Sequence, residues 1–122
     1  MSSFTTPLVG TFDDNMTRFT LTEQFRYRIG SMESTEIITV PAGYTTDFAS
    51  TPKVIQWLIP PTGQYGKAAV IHDYLYSTGL YSREKADEIF YEAMLVLGVP
   101  KWKAYSMFKA VRMFGGSHYK GS

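Results

Sequence analysis

The chain contains no cysteine. Disulfides, thiolate metal sites and catalytic thiols are therefore excluded. No apolar run approaches the roughly 18 residues of a membrane span. The opening residues Met1-Ser2-Ser3-Phe4-Thr5-Thr6 have neither a basic region nor an apolar core, so no signal peptide is expected. Residence in the cytoplasm of synthesis follows, with release only inside a particle or after lysis. No internal repeat or low-complexity segment is visible. After Glu92 there is no acidic residue at all, while Lys101, Lys103, Lys109, Arg112 and Lys120 follow.

What is present points to one folded domain over residues 1–122. Hydrophobic residues make up 44% of the chain and charged residues 19%, which argues against disorder. Aromatic content is 16%, with 9 Tyr, and tyrosine's polar tip suits contacts with partners as well as a core. The net charge of +1 hides an asymmetry. Residues 1–50 carry 3 basic and 6 acidic side chains, a balance of −3, whereas residues 51–122 carry 9 and 5, a balance of +4. Lys101, Lys109 and Arg112 fall together on one helical face. Such a face suits an anionic partner, although a solvated helix surface is the simpler explanation. No recognition motif supports nucleic acid as that partner.

Residues 1–16 show no clear period. From Arg18 to Ile29, apolar and polar residues alternate as in half-buried strands, and Glu36–Val40 reads as a further strand antiparallel to the second. Thr51-Pro52 resembles a helix start for a short helix over 53–59. Three longer helices are expected, over 66–77, 83–97 and 101–114, with Ser82 as an N-cap and Gly98 as a C-terminal cap. Pro100 is expected at the first position of the third. The predicted fold is α+β: a small N-terminal antiparallel β-sheet of about three strands (1–45), packed against a C-terminal layer of three main helices (46–122).

The helix over 66–77 contains an anomaly. His72 and Asp73 stand side by side among Ala69, Val70, Ile71, Tyr74 and Leu75. Ionisable groups are buried only at a cost unless they are paired. Asp87 lies as far beyond the Gly79–Leu80 turn as His72 lies before it. In an antiparallel hairpin the two therefore sit at the same height, where a carboxylate can fix the tautomer of an imidazole and support its protonated form. Tyr76, four residues after His72, shares its face and can reach the same carboxylate. Asp73 points about 100° away around the helix and is placed to bind a hard cation such as calcium. Asp47 is either an Asx-type cap or a further acid or ligand, and Ser50 is a candidate hydroxyl without the Gly-x-Ser-x-Gly context of a serine hydrolase. No ligand spacing supports a metal held by His72 with Asp47 or His118. Spacing leaves two readings open: a reactive centre, or a polar clasp between two helices.

Two resemblances bear on this. Gly43-Tyr44-Thr45-Thr46-Asp47-Phe48-Ala49-Ser50, Pro52, Ala69–Tyr76, Ala86-Asp87, Phe90, Met94 and Gly98 together resemble an uncharacterised tailed-bacteriophage family, domain of unknown function 1353. That resemblance implies a viral origin, with synthesis in host cytoplasm, and gives no established activity. Aromatic excess and a small sheet with open edges suit an oligomeric structural or assembly protein of the particle, at the tail or connector, as the non-enzymatic alternative. His72-Asp73-x-x-Tyr76 followed by Ala86-Asp87 is similar to calcium-dependent phospholipases of the A-two type. By that resemblance His72 is a general base, Asp73 a Ca2+ ligand, Asp87 the residue orienting His72, and Tyr76 a supporting hydroxyl. The substrate is then a membrane phospholipid.

Overall fold

The structure, a computed structural model, describes residues 3–4, 8–13, 18–29, 36–46 and 66–114. The expected short helix over 53–59, Asp47, Ser50 and His118 lie outside the described residues. The chain divides into two compact units, Met1–Asp47 and Phe48–Ser122.

The described residues of the first unit form six short strands: β1 (Ser3–Phe4), β2 (Gly10–Phe12), β3 (Phe19–Leu21), β4 (Phe25–Arg28), β5 (Ile37–Val40) and β6 (Thr45–Thr46). The expected strand over 25–29 and its antiparallel partner over 36–40 form as β4 and β5, with Tyr27 opposite Ile38 and Phe25 opposite Val40. The alternation has its physical counterpart in burial. Phe25, Tyr27, Ile38 and Val40 are buried while Arg26 and Ile37 are exposed.

There are two three-stranded antiparallel sheets where a single sheet was expected, in the orders β1-β4-β5 and β2-β3-β6. The additional strands are two or three residues long, too short for a period to show. Gly10 reads as loop material in the sequence but opens β2 opposite Leu21. A Cβ there would collide with the Thr20 carbonyl oxygen and the Phe19 ring, so only glycine permits this approach.

The second unit contains α1 (Gly66–Thr78), α2 (Arg83–Val96) and α3 (Lys101–Phe114). Each lies within one residue of its expected bounds because the stop signals are chemical. Gly79, at φ 65, accepts the left-handed conformation that ends α1 and donates its N–H to the Leu75 carbonyl at 3.0 Å. Ser82 caps α2, its hydroxyl accepting from the Lys85 N–H at 3.2 Å. At the other end of α2, the Val99 N–H bonds the Met94 carbonyl and the Gly98 N–H bonds the Leu95 carbonyl, with Gly98 at φ 89. This pair of bonds is a Schellman motif. Pro100 stands one position earlier than expected: its carbonyl accepts from Lys103 and Ala104, and α3 proper starts at Lys101.

α2 packs against both α1 and α3. Ala86, Ile89, Phe90, Ala93 and Met94 of α2 are buried, as are Val70, Ile71 and Leu75 of α1 and Ala104, Met107 and Val111 of α3. Ala86, Phe90 and Ala93 thus line the buried face of α2, while Leu97 is half-buried. The four-residue connection 79–82 sends α2 back along α1, which brings position 87 level with position 72.

These caps carry measurable stability. Ser82→Ala should lower unfolding free energy by about 1 kcal/mol. Gly98→Ala, which forces a Cβ into a left-handed position, should cost about 1 kcal/mol. Urea unfolding followed by circular dichroism measures both, and an unchanged midpoint in either variant contradicts the assigned cap.

Candidate functional site: a carboxylate shared by three helices

Asp87 is the centre of the helical unit. Its Oδ1 lies 2.7 Å from His72 Nε2 and accepts from the Tyr76 hydroxyl at 2.6 Å. Its Oδ2 accepts from Arg112 Nη1 at 2.9 Å. All three helices therefore meet on one carboxyl group. Residues 72, 76 and 87 are sealed, with exposures of 0%, 1% and 0%. The His72 ring also packs on its neighbours, with centroids 4.1 Å from Tyr76 and 4.6 Å from Phe90.

The predicted His72–Asp87 pairing and the support from Tyr76 are thus present. Asp73 lies on the next face of α1, half-buried. Asp47 and Ser50 fall outside the described residues. Arg112, expected on one face with Lys101 and Lys109, turns its Nη1 to Asp87 while its side chain stays partly exposed. Lys101 and Lys109 remain exposed, and Lys109 Nζ lies 5.6 Å over the Tyr105 ring.

Two arginines were missed as members of the cluster. Arg83 Nε donates to the Tyr76 hydroxyl at 3.2 Å, and its Nη2 donates to the carbonyls of Val111 and Arg112 at 3.0 and 2.6 Å. It thereby caps the end of α3 from the start of α2. Its sequence signal was available: a cation in the first turn of a helix opposes the helix dipole, so its position calls for another partner. Arg112 had no such signal, since the last turn of a helix is where a cation is expected.

A family model described as "Protein of unknown function (DUF1353)" matches residues 19–111. The chain belongs to the DUF1353 family. The matched segment includes His72, Asp73, Tyr76, Arg83 and Asp87 and stops one position before Arg112. Two similar proteins come from the bacterium Sinorhizobium fredii. Uncharacterized protein y4jT is 41% identical over 78 residues, 62% of this chain and 23% of its own length. Uncharacterized protein y4iH is 38% identical over 72 residues, 57% of this chain and 30% of its own length. The DUF1353 chain thus spans less than a third of these relatives. No solved structure matches it significantly.

The protonation states of this DUF1353 cluster follow from its burial and bonding. Burial is the largest influence on His72 and holds its pKa below the ordinary 6.5. The bond and charge of Asp87 and the charge of Asp73 oppose this, while Arg83 adds to it. Burial alone would raise Asp87, but the donors His72, Tyr76 and Arg112 outweigh it and hold the carboxyl below 3.8. Burial, with the bond to Asp87, pushes the Tyr76 hydroxyl above its ordinary 10.0. At neutral pH the cluster is therefore ionised Asp87, neutral His72 and neutral Tyr76. An ionised carboxylate only accepts, so the His72 proton is on Nε2 and the lone pair on Nδ1.

Both His72 and Asp87 have depressed pKa values in the fold, so each contributes stability above its unfolded pKa that is lost as pH falls. His72 begins to withdraw its contribution near 6.5 and Asp87 near 3.8. Urea midpoints should hold steady above about pH 7 and decline on acidification. His72→Gln should flatten the part of that decline between about pH 7 and 5. Asp87→Asn should destabilise at neutral pH by about 3 kcal/mol, because it removes the anion that Arg112 meets in a buried centre. A midpoint independent of pH in the unmodified protein contradicts these assignments.

Proposed function

We propose that the helical unit carries a general-base centre for hydrolysis of carboxylic esters, with phospholipid as the substrate class. The observation that supports this is the 2.7 Å bond from His72 Nε2 to Asp87 Oδ1 between antiparallel helices. It assigns the lone pair to Nδ1 and places a carboxylate behind the ring. In the proposed reaction, Nδ1 takes a proton from water as the water oxygen bonds to the acyl carbon. Asp87, steadied by Tyr76 and Arg112, stabilises the imidazolium that forms. The tetrahedral intermediate then collapses, the acyl–oxygen bond breaks, and the imidazolium returns its proton to the leaving alkoxide.

Calcium belongs to this reading only through Asp73. Calcium takes roughly six to eight oxygen ligands. Among the described residues, no three His, Asp or Glu side chains form a cluster able to hold a metal ion. Asp73 would supply a carboxylate to such an ion, which would polarise the ester carbonyl.

A second reading has its own observation. His72 and Asp87 are both 0% exposed, as suits a clasp that joins helices and performs no chemistry. On that reading the chain is a non-enzymatic structural or assembly protein, and the phage origin suggested by the motifs would make it a virion component.

His72→Gln separates the two, because glutamine keeps a donor for Asp87 and removes the base. Mixed-lipid vesicles and soluble esters should be hydrolysed by the unmodified protein, with kcat/KM falling about a hundredfold or more in a folded His72→Gln variant. The pH profile should show a limb whose midpoint lies below 6.5, as His72 protonates. Assays with calcium and with chelator, in the unmodified protein and in Asp73→Asn, read out the metal. Absence of ester cleavage under every one of these conditions leaves the clasp.

A further inference from the structure

The described residues place a cluster of exposed large apolar side chains at one end of the α2–α3 hairpin. Leu95 and Val96, in the last turn of α2, are 39% and 38% exposed. Trp102 and Tyr105, in the first two turns of α3, are 71% and 52% exposed. Residues 97–100 connect these turns, so the four side chains share the hairpin tip. Folding buries apolar groups where it can, and a cluster left outside points to a contact.

The α3 side of the tip is basic, and the nearest acidic residue is Glu92, one turn back on α2. Lys101 and Lys103 flank Trp102, Lys109 lies over the Tyr105 ring, and no acidic residue occurs in the chain after Glu92. Lys101 stands exposed at the start of α3. Tryptophan and tyrosine with aliphatic side chains and lysines form the chemistry of a lipid headgroup boundary. The rings sit at that level, aliphatic groups enter the acyl edge, and lysines extend to phosphates.

We propose that the α2–α3 tip docks this protein on a bilayer of anionic phospholipid, with Leu95, Val96, Trp102 and Tyr105 entering the interface. Lys101, Lys103 and Lys109 meet the headgroup phosphates. The docking does not depend on ester hydrolysis, since His72 and Asp87 are sealed away from this surface. A second copy of the chain fits the tip poorly because it would bring these lysines against their own kind. Four partly exposed side chains also offer on the order of a few hundred Å², below the roughly 800 Å² per partner of a standard protein interface. Nucleic acid would leave Leu95 and Val96 without a role, since such interfaces are polar.

Sedimentation of the full chain with vesicles tests the proposal. Binding is expected to phosphatidylcholine vesicles containing phosphatidylglycerol, to be weak on phosphatidylcholine alone, and to decline with salt. Trp102→Ser should weaken it about tenfold. Lys101→Gln and Lys109→Gln should each weaken it about fivefold. These are exposed positions, and circular dichroism verifies the fold; Tyr105→Ser serves as a second apolar variant. His72→Gln should bind vesicles as the unmodified protein does. The proposal is overturned by equal binding to both vesicle types, by no binding to either, or by binding that neither Trp102→Ser nor Tyr105→Ser weakens. It is also overturned by tighter binding to duplex DNA than to anionic vesicles, or by a dimer in analytical ultracentrifugation that Trp102→Ser dissociates.

Discussion

The Asp87 carboxylate is the interaction on which the helical unit depends. A buried anion is tolerated only when its charge and lone pairs are met, and here one donor comes from Arg112 of α3 and two come from α1. The arrangement sets the height of α1 against α2 and ties the end of α3 to both. It also sets the chemistry. Burial keeps the His72 imidazole neutral against the pull of the ionised Asp87, and its Nε2 faces the carboxylate. A base needs that state, and a clasp is compatible with it.

How much of this was legible in the sequence differs by interaction range. The helices over 66–114 were readable because their boundaries rest on local chemistry: left-handed glycines at 79 and 98 and the Ser82 hydroxyl. The His72–Asp87 bond was readable because a short antiparallel turn converts sequence symmetry into spatial register. Tyr76 followed from helical spacing. The two arginines were not recovered, since Arg83 bonds carbonyls 28 and 29 positions away and Arg112 bonds a carboxylate 25 positions away. No local pattern encodes such partners. In the first unit, β4 and β5 were visible because four residues each suffice for alternation. β3 was also readable from the alternation of Phe19 and Leu21, but its partners β2 and β6, of three and two residues, were hidden, as was a glycine whose role is set by the ring of Phe19 across the ladder.

The family membership and the geometry address different questions. Membership of DUF1353 carries no activity with it, and the two similar bacterial proteins are much longer and uncharacterised. The geometry describes a protonation state and a set of donors, from which a reaction class can be written but no biological setting. The matched segment ends at Val111, so Arg112, which completes Asp87, stands just beyond the boundary of the family match.

Arg83 has a consequence for how the helices come apart. Its guanidinium closes the Val111 and Arg112 carbonyls of α3 while its Nε holds the Tyr76 hydroxyl of α1. The last turn of α3 is thus finished by another helix, and its backbone bonds outlast only as long as that helix stays docked. Fraying at this end is coupled to separation of all three helices. Slow amide exchange is then expected to reach the end of α3 and to be lost there together with the exchange protection of α1 and α2.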